Sequence, residues 1–194
     1  DNDGSIMASE LEVTTIRGLS SGANANQILV PSGQTLHAPG HIIQVQSAAK
    51  RDTFAHATST FTDIGLTITI TPQQSNSHIM IVASVAGASQ TSSATTLRLL
   101  RDGTVILPDN PTSPGNRQVG MYDMYTAGNQ YNLNSYSFTF VDTGRTAGTS
   151  AITYKFQLKT HNTGAVYINR SSNDSNVSNY VRSTSHIQLL EIAQ

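Results

Sequence analysis

The chain has 194 residues, with 11 basic against 12 acidic side chains and no cysteine. This length suits one ordinary domain, or one domain with a small appendage, and a net charge of −1 excludes the electrostatic footprint of a protein that binds nucleic acid or an anionic membrane. Without cysteine, disulfides, thiol catalysis and thiolate metal sites are excluded too, and no apolar run approaches the roughly 20 residues that span a bilayer.

The first 40 residues contain short apolar clusters that glycine and proline interrupt too often for a core to form. Met7 is typical of a translation start, so we interpret residues 1–6 as left over from expression; the alternative is an internal methionine. We expect residues 7–40 to be a β- and turn-rich segment that other chains or the main domain must cover. Its apolar candidates for such contacts are Val13, Ile16, Ile28, Leu29, Val30 and Leu36.

From residue 41 onwards, apolar and polar residues alternate with a period of two. Residues 66–71, 136–140 and 152–158 show the pattern most clearly, with Thr and Ser at most of the polar positions. This period places apolar side chains on one face of a strand and hydroxyls on the other. We therefore predict an all-β head, an antiparallel sandwich or barrel over residues 41–194. The predicted strands are residues 42–46, 61–71, 78–86, 97–101, 104–107, 119–126, 136–143, 152–160, 165–169 and 185–192.

Turn residues and breaks in the alternation give finer predictions. Asp102-Gly103 is a two-residue hairpin signal, and residues 162–164 predict a second hairpin that joins residues 156–160 to 165–169. Residues 79–83 are apolar on both faces, which indicates a strand covered on both sides. Leu189-Leu190 interrupts the last strand and predicts a bulge or two-sided burial there.

Two polar loops with embedded tyrosines, residues 126–132 and 171–180, are the candidate recognition surfaces. Glycan binding needs an aromatic face against the sugar ring and planar polar groups around it. The alternatives are that these loops are solvated connections and that the tyrosines belong to a core or an interface. The candidate receptor- or glycan-binding residues are Asn129, Tyr131, Asn132, Asn173, Asp174, Asn179, Tyr180 and Arg182.

Catalytic and metal motifs are weak. His37 and His41 are four residues apart, but Pro39-Gly40 prevents a shared helical face of the kind that binds zinc. The sequence contains neither a nucleophile elbow nor a phosphate-binding glycine loop. Paired carboxylates would be needed for glycoside hydrolysis, and the sequence cannot place any two of Asp109, Asp123, Asp142, Asp174 and Glu191 within reach of each other. We expect no enzymatic activity, no cofactor and no metal site.

Several segments together resemble a family. They are residues 7–18, 30–36, 39–45, 67–72, 77–81, 99–103 and 183–193. With these, the chain resembles small structural appendage proteins, fibres or knobs, of tailed bacteriophages, as in phages of marine bacteria and cyanobacteria. The resemblance implies a jelly-roll-like antiparallel β-sandwich head that assembles as a homotrimer, with residues 7–40 as the anchor to other virion proteins.

The same resemblance implies a location on the virion, as an exposed appendage that contributes to attachment to host-surface polysaccharide or protein. The alternative is a capsid-decoration or collar component without receptor binding. A cellular trimeric knob similar to tumour necrosis factor or complement heads is a third hypothesis, which the missing cysteines and the polar N-terminal segment disfavour.

Overall fold

The computed structural model describes residues 20–22, 27, 38–89, 95–109, 111–112, 115–126, 129–161 and 164–194. The chain divides into two compact units, Asp1–His37 and Ala38–Gln194, and the sheets belong to the second. The predicted contact residues Val13, Ile16, Ile28, Leu29, Val30 and Leu36 lie outside the described residues. Their role, like the interpretation of residues 1–6, stays a prediction.

The described part of the second unit consists of strands and connections, without a helix, so the all-β prediction is confirmed. Every strand pair in it is antiparallel. The strands are β1 (Ile42–Lys50), β2 (Phe54–His56), β3 (Thr62–Ile70), β4 (His78–Ser89), β5 (Thr95–Arg101), β6 (Thr104–Leu107), β7 (Asn134–Asp142), β8 (Ile152–Thr160), β9 (Val166–Ile168) and β10 (Ser185–Ile192).

The strands form two sheets with jelly-roll connectivity. The first sheet has the order β1-β10-β4-β9-β2, with β7 on the other side of β4, and the second has the order β3-β8-β5-β6. Apart from the short β2 and β9, the pairs are nested: β6 pairs with β5, β7 with β4, β8 with β3 and β10 with β1. A long eight-stranded hairpin folded over into two sheets gives this nesting, which is the jelly-roll arrangement.

The hydrophobic core lies between the sheets, because alternate residues of each strand point inward. Along β3 every second residue is buried and the residues between are exposed, as the alternation predicts. The largest fully buried side chains belong mostly to β3, β4, β5 and β8: Ile64, Leu66, Ile70, Ile79, Ile81, Leu97, Leu99, Tyr154, Phe156 and Leu158.

The strand predicted at residues 119–126 is wrong. This segment lacks strand geometry, although backbone bonds join it to the neighbouring β5, from Met121 N to Leu97 O at 2.8 Å and from Leu97 N to Tyr122 O at 3.4 Å. Its alternation reflects the burial of Met124 and Thr126, which hold an irregular segment in place. Alternating apolar residues therefore occur here without the hydrogen-bond ladder of a β-strand.

The second predicted hairpin is also wrong, because β8 and β9 lie in different sheets. β8 pairs with β3 and β5, whereas β9 pairs with β2 and β4. A turn signal is local and does not reveal which sheet the chain enters next. β2 was missed because three residues are too few to show a period.

The Asp102-Gly103 hairpin is confirmed, with φ of 47° and 86°, both positive as this type of turn requires. The bulge predicted at Leu189-Leu190 is absent, because β10 pairs with β4 in continuous register. Leu189 is fully buried while Leu190 is partly covered on the opposite face. An irregularity lies instead in β1, between Ile42 and Gln44.

Candidate functional site

The two tyrosine-bearing loops are both attached near the end of β4. The hydroxyl of Thr126 donates to the carbonyl of Ser89 at 2.7 Å, which fixes the start of the first loop. The backbone N–H of Asn169 donates to the carbonyl of Ala86 at 2.9 Å, just before the second loop begins. The two loops, which are distant in sequence, therefore start from the same end of the sandwich.

Asn169 forms a rigid base for the second loop. Its backbone has a φ of 62°, in the left-handed region that asparagine tolerates better than most residues. Its buried amide donates to the carbonyls of Lys50 and Asp52 at 2.8 and 2.9 Å and accepts from the hydroxyl of Ser185 at 2.6 Å. Every polar group of this side chain is thus satisfied within the fold.

At the tips of the loops the two tyrosines meet. The rings of Tyr131 and Tyr180 stack with centroids 5.3 Å apart and an interplanar angle of 17°. The amide of Asn173 donates to the Tyr180 hydroxyl at 2.9 Å and to Gln130 Oε1 at 3.3 Å, so it joins the two loops. Asn129 accepts from the backbone N–H of Tyr131 at 2.9 Å. We call Asn129, Tyr131, Asn173 and Tyr180 the tyrosine cluster.

An ion pair joins the second loop to Arg182, which follows it in the chain. Arg182 donates from Nε and Nη2 to the two carboxylate oxygens of Asp174, at 2.9 and 2.7 Å. This forked bond holds the pKa of Asp174 below its ordinary value and raises the pKa of Arg182. The pair contributes no net charge. Arg170, which also lowers the pKa of Asp174, is half-buried with its guanidinium against the Tyr167 ring, so the cluster itself presents aromatic rings and amides beside a neutralised pair.

Seven of the eight candidate residues lie in these two loops and Arg182 follows the second loop, but the contact between the two loops was not predicted. Asn132 contributes a backbone bond to Asn129 at 3.3 Å, and Asn179 is exposed. Gln130 and Ser175 were missed. Gln130 receives the Asn173 bond, and Ser175 donates to Asn173 Oδ1 from both its N–H and its hydroxyl. Only their position next to the selected residues in sequence could have indicated them.

Two of the candidate catalytic carboxylates are buried inside the sandwich. Asp142 accepts from Arg101 Nη1 at 2.6 and 2.8 Å and from the Tyr154 hydroxyl at 2.8 Å. Burial beside this carboxylate strongly raises the pKa of Tyr154.

Glu191 is the second buried carboxylate. It accepts hydrogen bonds from Ser77, from Gln44 and from the backbone N–H groups of Gln73 and Gln74. Burial raises the pKa of Glu191, but these donated bonds outweigh burial and leave it lowered. Both carboxylates hold parts of the fold together.

An open cleft of about 630 Å³ lies between the edges of the two sheets, bordered by β6 and β7. Arg101 and Asp142 line it, together with Val105, Val119 and Val141. Within the described ranges, no group of three or more His, Asp or Glu side chains is arranged to hold a metal ion. The same part of the chain contains no helix long and apolar enough to traverse a bilayer.

No family model and no curated protein matches this chain. Among solved structures, the chain is similar to a chain of the infectious bursal disease virus Gx strain, with 13% identity and a TM-score of 0.40 over 88% of this chain. It is also similar to the VP2 subviral particle of that virus, with 10% identity and a TM-score of 0.34 over 78%, and to dimeric latent PorU from Porphyromonas gingivalis, with 9% and 0.31 over 80%. The chain spans 42% of each viral chain and 14% of PorU.

Proposed function

We propose that this chain is a structural protein of a virion, a trimeric fibre or knob appendage of a bacteriophage that contributes to attachment to the host surface. The observation that carries the proposal is the tyrosine cluster. Two loops that are distant in sequence bring an aromatic pair and several amides together at one end of a rigid sandwich. Recognition residues are commonly held on loops that a rigid scaffold positions.

The chemistry of the cluster favours a neutral, hydroxyl-rich ligand. Tyr131 is 44% exposed and offers an apolar ring beside the amides of Asn129 and Gln130. Because Arg182 already neutralises Asp174, neither an anionic nor a cationic ligand finds an unmatched charge in this pair. We therefore infer that a saccharide unit of a host-surface polysaccharide is the ligand.

The virion context comes from the sequence resemblance, and the jelly-roll connectivity is compatible with it. We propose that residues 7–40 attach the head to other virion proteins and that three copies form the appendage. We propose a passive binding protein rather than an enzyme, because Asp142 and Glu191 are committed to bonds within the sandwich.

A glycan array or a host-cell adsorption assay with the full, assembled chain tests the attachment role. We expect the native protein to bind neutral glycans and the Tyr180→Ala variant to bind them about tenfold or more weakly, the effect typical of a central aromatic contact. Val177→Ala is the matched control, since this side chain is 57% exposed in the same loop but outside the cluster. If the assembled protein binds neither glycans nor cells, or if Tyr180→Ala binds as well as the native protein, the attachment role is wrong.

A capsid-decoration or collar component is the second candidate. Val177 and Val181 are 57% and 48% exposed beside the cluster, and exposed apolar side chains suit a protein neighbour better than a sugar. Electron microscopy of the virion separates the two candidates. A distal position with the loops pointing outward supports attachment, and loops packed against other virion proteins support the structural role.

A further inference from the structure

The four long strands of the first sheet turn all their charged residues inward. Lys50, Asp142 and Glu191 are the formally charged residues of β1, β4, β7 and β10, and each is at most 5% exposed. Lys50 pairs with Asp52 at 2.6 Å, Asp142 with Arg101 at 2.6 Å, and Glu191 accepts from Ser77 and two backbone N–H groups. Soluble sheets usually do the opposite and place charge on the solvent side.

The outward side of these strands is neutral, and an apolar line crosses it. One residue from each strand lies in register across the sheet: Val45, Leu190, Met80 and Val141. Ile42 and Ile192 are paired nearby on the same side. Val45 is 54% exposed, Ile42 49% and Val141 39%, so the described residues leave these apolar side chains partly uncovered. We call the outward side of β1, β10, β4 and β7 the neutral face.

The second sheet has a different outer surface. Asp63, Lys155 and Arg98 point outward there, and the Lys155 amine contacts Asp63 at 2.8 Å. Arg98 donates to Gln157 Oε1 at 2.6 Å on the same side. Charged pairs and threonines make this a surface suited to water, so the neutrality of the first sheet is not a property of the whole sandwich.

The surface of the neutral face is uneven. Two shallow depressions of about 350 and 360 Å³ lie on either side of a ridge formed by His186 and Gln188 on β10. One lies over β4, where Val82 lines it, and the other lies beside Ser47 of β1 and is bordered by Arg51, which follows β1 at the margin of the face. A ridge between two depressions allows a partner to interlock with the sheet instead of sliding over it.

We propose that the neutral face is the contact surface between copies of this chain. The four strands bring no formal charge to this face, and the charged Arg51 lies only at its margin. A copy that packs against the strands therefore brings no like charges together there, and the strands offer no counter-charge to a charged partner. Four strands about 4.8 Å apart and eight residues of about 3.4 Å give a flat area of about 500 Å². A standard interface buries about 800 Å² per partner, so the face supplies most of the contact and its margins supply the rest.

The number of copies in this proposal rests on the proposed function, whereas the contact surface is inferred from the first sheet itself. The test uses the full chain, with mass measured by light scattering over a range of concentrations. Met80→Glu and Val45→Glu each place a carboxylate on the neutral face. Thr69→Glu is the matched control, because Thr69 is an exposed, outward-facing residue of β3 in the second sheet.

We expect the native chain and Thr69→Glu to have the mass of three copies, and both neutral-face variants to dissociate at a concentration at least tenfold higher. Thermal melting verifies that each variant is folded. If Met80→Glu does not fold, Val45→Glu on the edge strand β1 decides the question. A native assembly that neither variant weakens would overturn the contact surface but leave the trimer intact. A native monomer would overturn both, and loss of glycan binding alone would leave this proposal unaffected.

Discussion

The two outer faces of the sandwich are built from the same alternating pattern, yet they differ in where charge lies. The second sheet directs Asp63, Lys155 and Arg98 outward, whereas the first sheet directs Glu191 and Asp142 inward. A period of two determines which residues share a face but not which face meets water. The identity of the outward residues supplies that information, and it separates a solvated face from the one that we propose is covered by other copies.

Turning charge inward has a cost that only complete bonding offsets. A buried ion loses its hydration, and the loss is compensated only when partners satisfy its oxygens or protons. Glu191 meets this condition through donors from β1 and from the connection between β3 and β4. Ser77, one of these donors, also accepts from Arg145 Nη2 at 2.8 Å, which extends the network to the connection after β7.

The largest effect is expected from removing the inward carboxylate. Glu191→Ala leaves several buried donors unpaired, and we expect it to lower the free energy of unfolding by about 3–5 kcal/mol. Asp63→Ala, the outward counterpart, removes a carboxylate that is half exposed, and we expect a loss of about 0.5 kcal/mol or less. Urea denaturation measures both. Similar losses in the two variants would contradict the distinction between the faces.

The dependence of stability on acidic pH also distinguishes the inward carboxylate from the outward ones. The folded pKa of Glu191 is below its ordinary value of 4.5, so as the pH falls the unfolded chain takes up the proton first. The stability that this carboxylate contributes is complete above that value and is lost as the pH falls through the folded pKa. We expect the melting temperature to decline below about pH 4.5.

Glu191→Gln is the matched variant for this pH dependence. It should flatten the decline, and the residual slope should come from Asp52, Asp63 and Asp174, whose pKa values are also lowered. A variant whose melting temperature falls in parallel with that of the native chain would show that Glu191 does not cause the acid sensitivity.

An effect smaller than that of Glu191→Ala is expected at Phe61, on the solvated face. The centroid of the Phe61 ring lies 3.5 Å from the Arg98 guanidinium carbon and 4.8 Å from the Lys159 amine nitrogen. Cation–π contacts at exposed sites contribute about 0.5–1 kcal/mol, so we expect Phe61→Ala to lose about 1–2 kcal/mol including its apolar contacts. Phe61→Leu keeps most of the apolar cover and should recover part of the loss. If Phe61→Leu is as unstable as Phe61→Ala, the aromatic face accounts for the whole effect.

The sequence predicts the strands well where alternation and burial coincide. Residues 152–160 were predicted with both ends correct, because every second side chain of β8 is buried in the core. Prediction failed at residues 119–126, where the same alternation anchors an irregular segment through Met124. It failed again at residues 162–164, because contacts of β9 with the distant β4 decide which sheet that strand joins.

The candidate site was predictable residue by residue but not as an arrangement. Tyr131 and Tyr180 each stand out as tyrosines in loops rich in asparagine. Their stacking depends on the attachment of both loops near the end of β4, through Thr126 and Asn169. No local pattern encodes that proximity, since it follows from the nested strand pairing of the whole sandwich.

Oxidative footprinting of the full chain over a dilution series tests the central claim most directly, because it probes the neutral face and the tyrosine cluster in one sample. Met80 lies on the neutral face, and methionine is readily oxidised where oxidant reaches it. We predict that labelling of Met80 falls as the concentration rises while labelling of Tyr131 stays constant. Constant labelling of Met80 at all concentrations, or equal protection of Tyr131, would contradict an assembly that buries the sheet and leaves the loops free for the host.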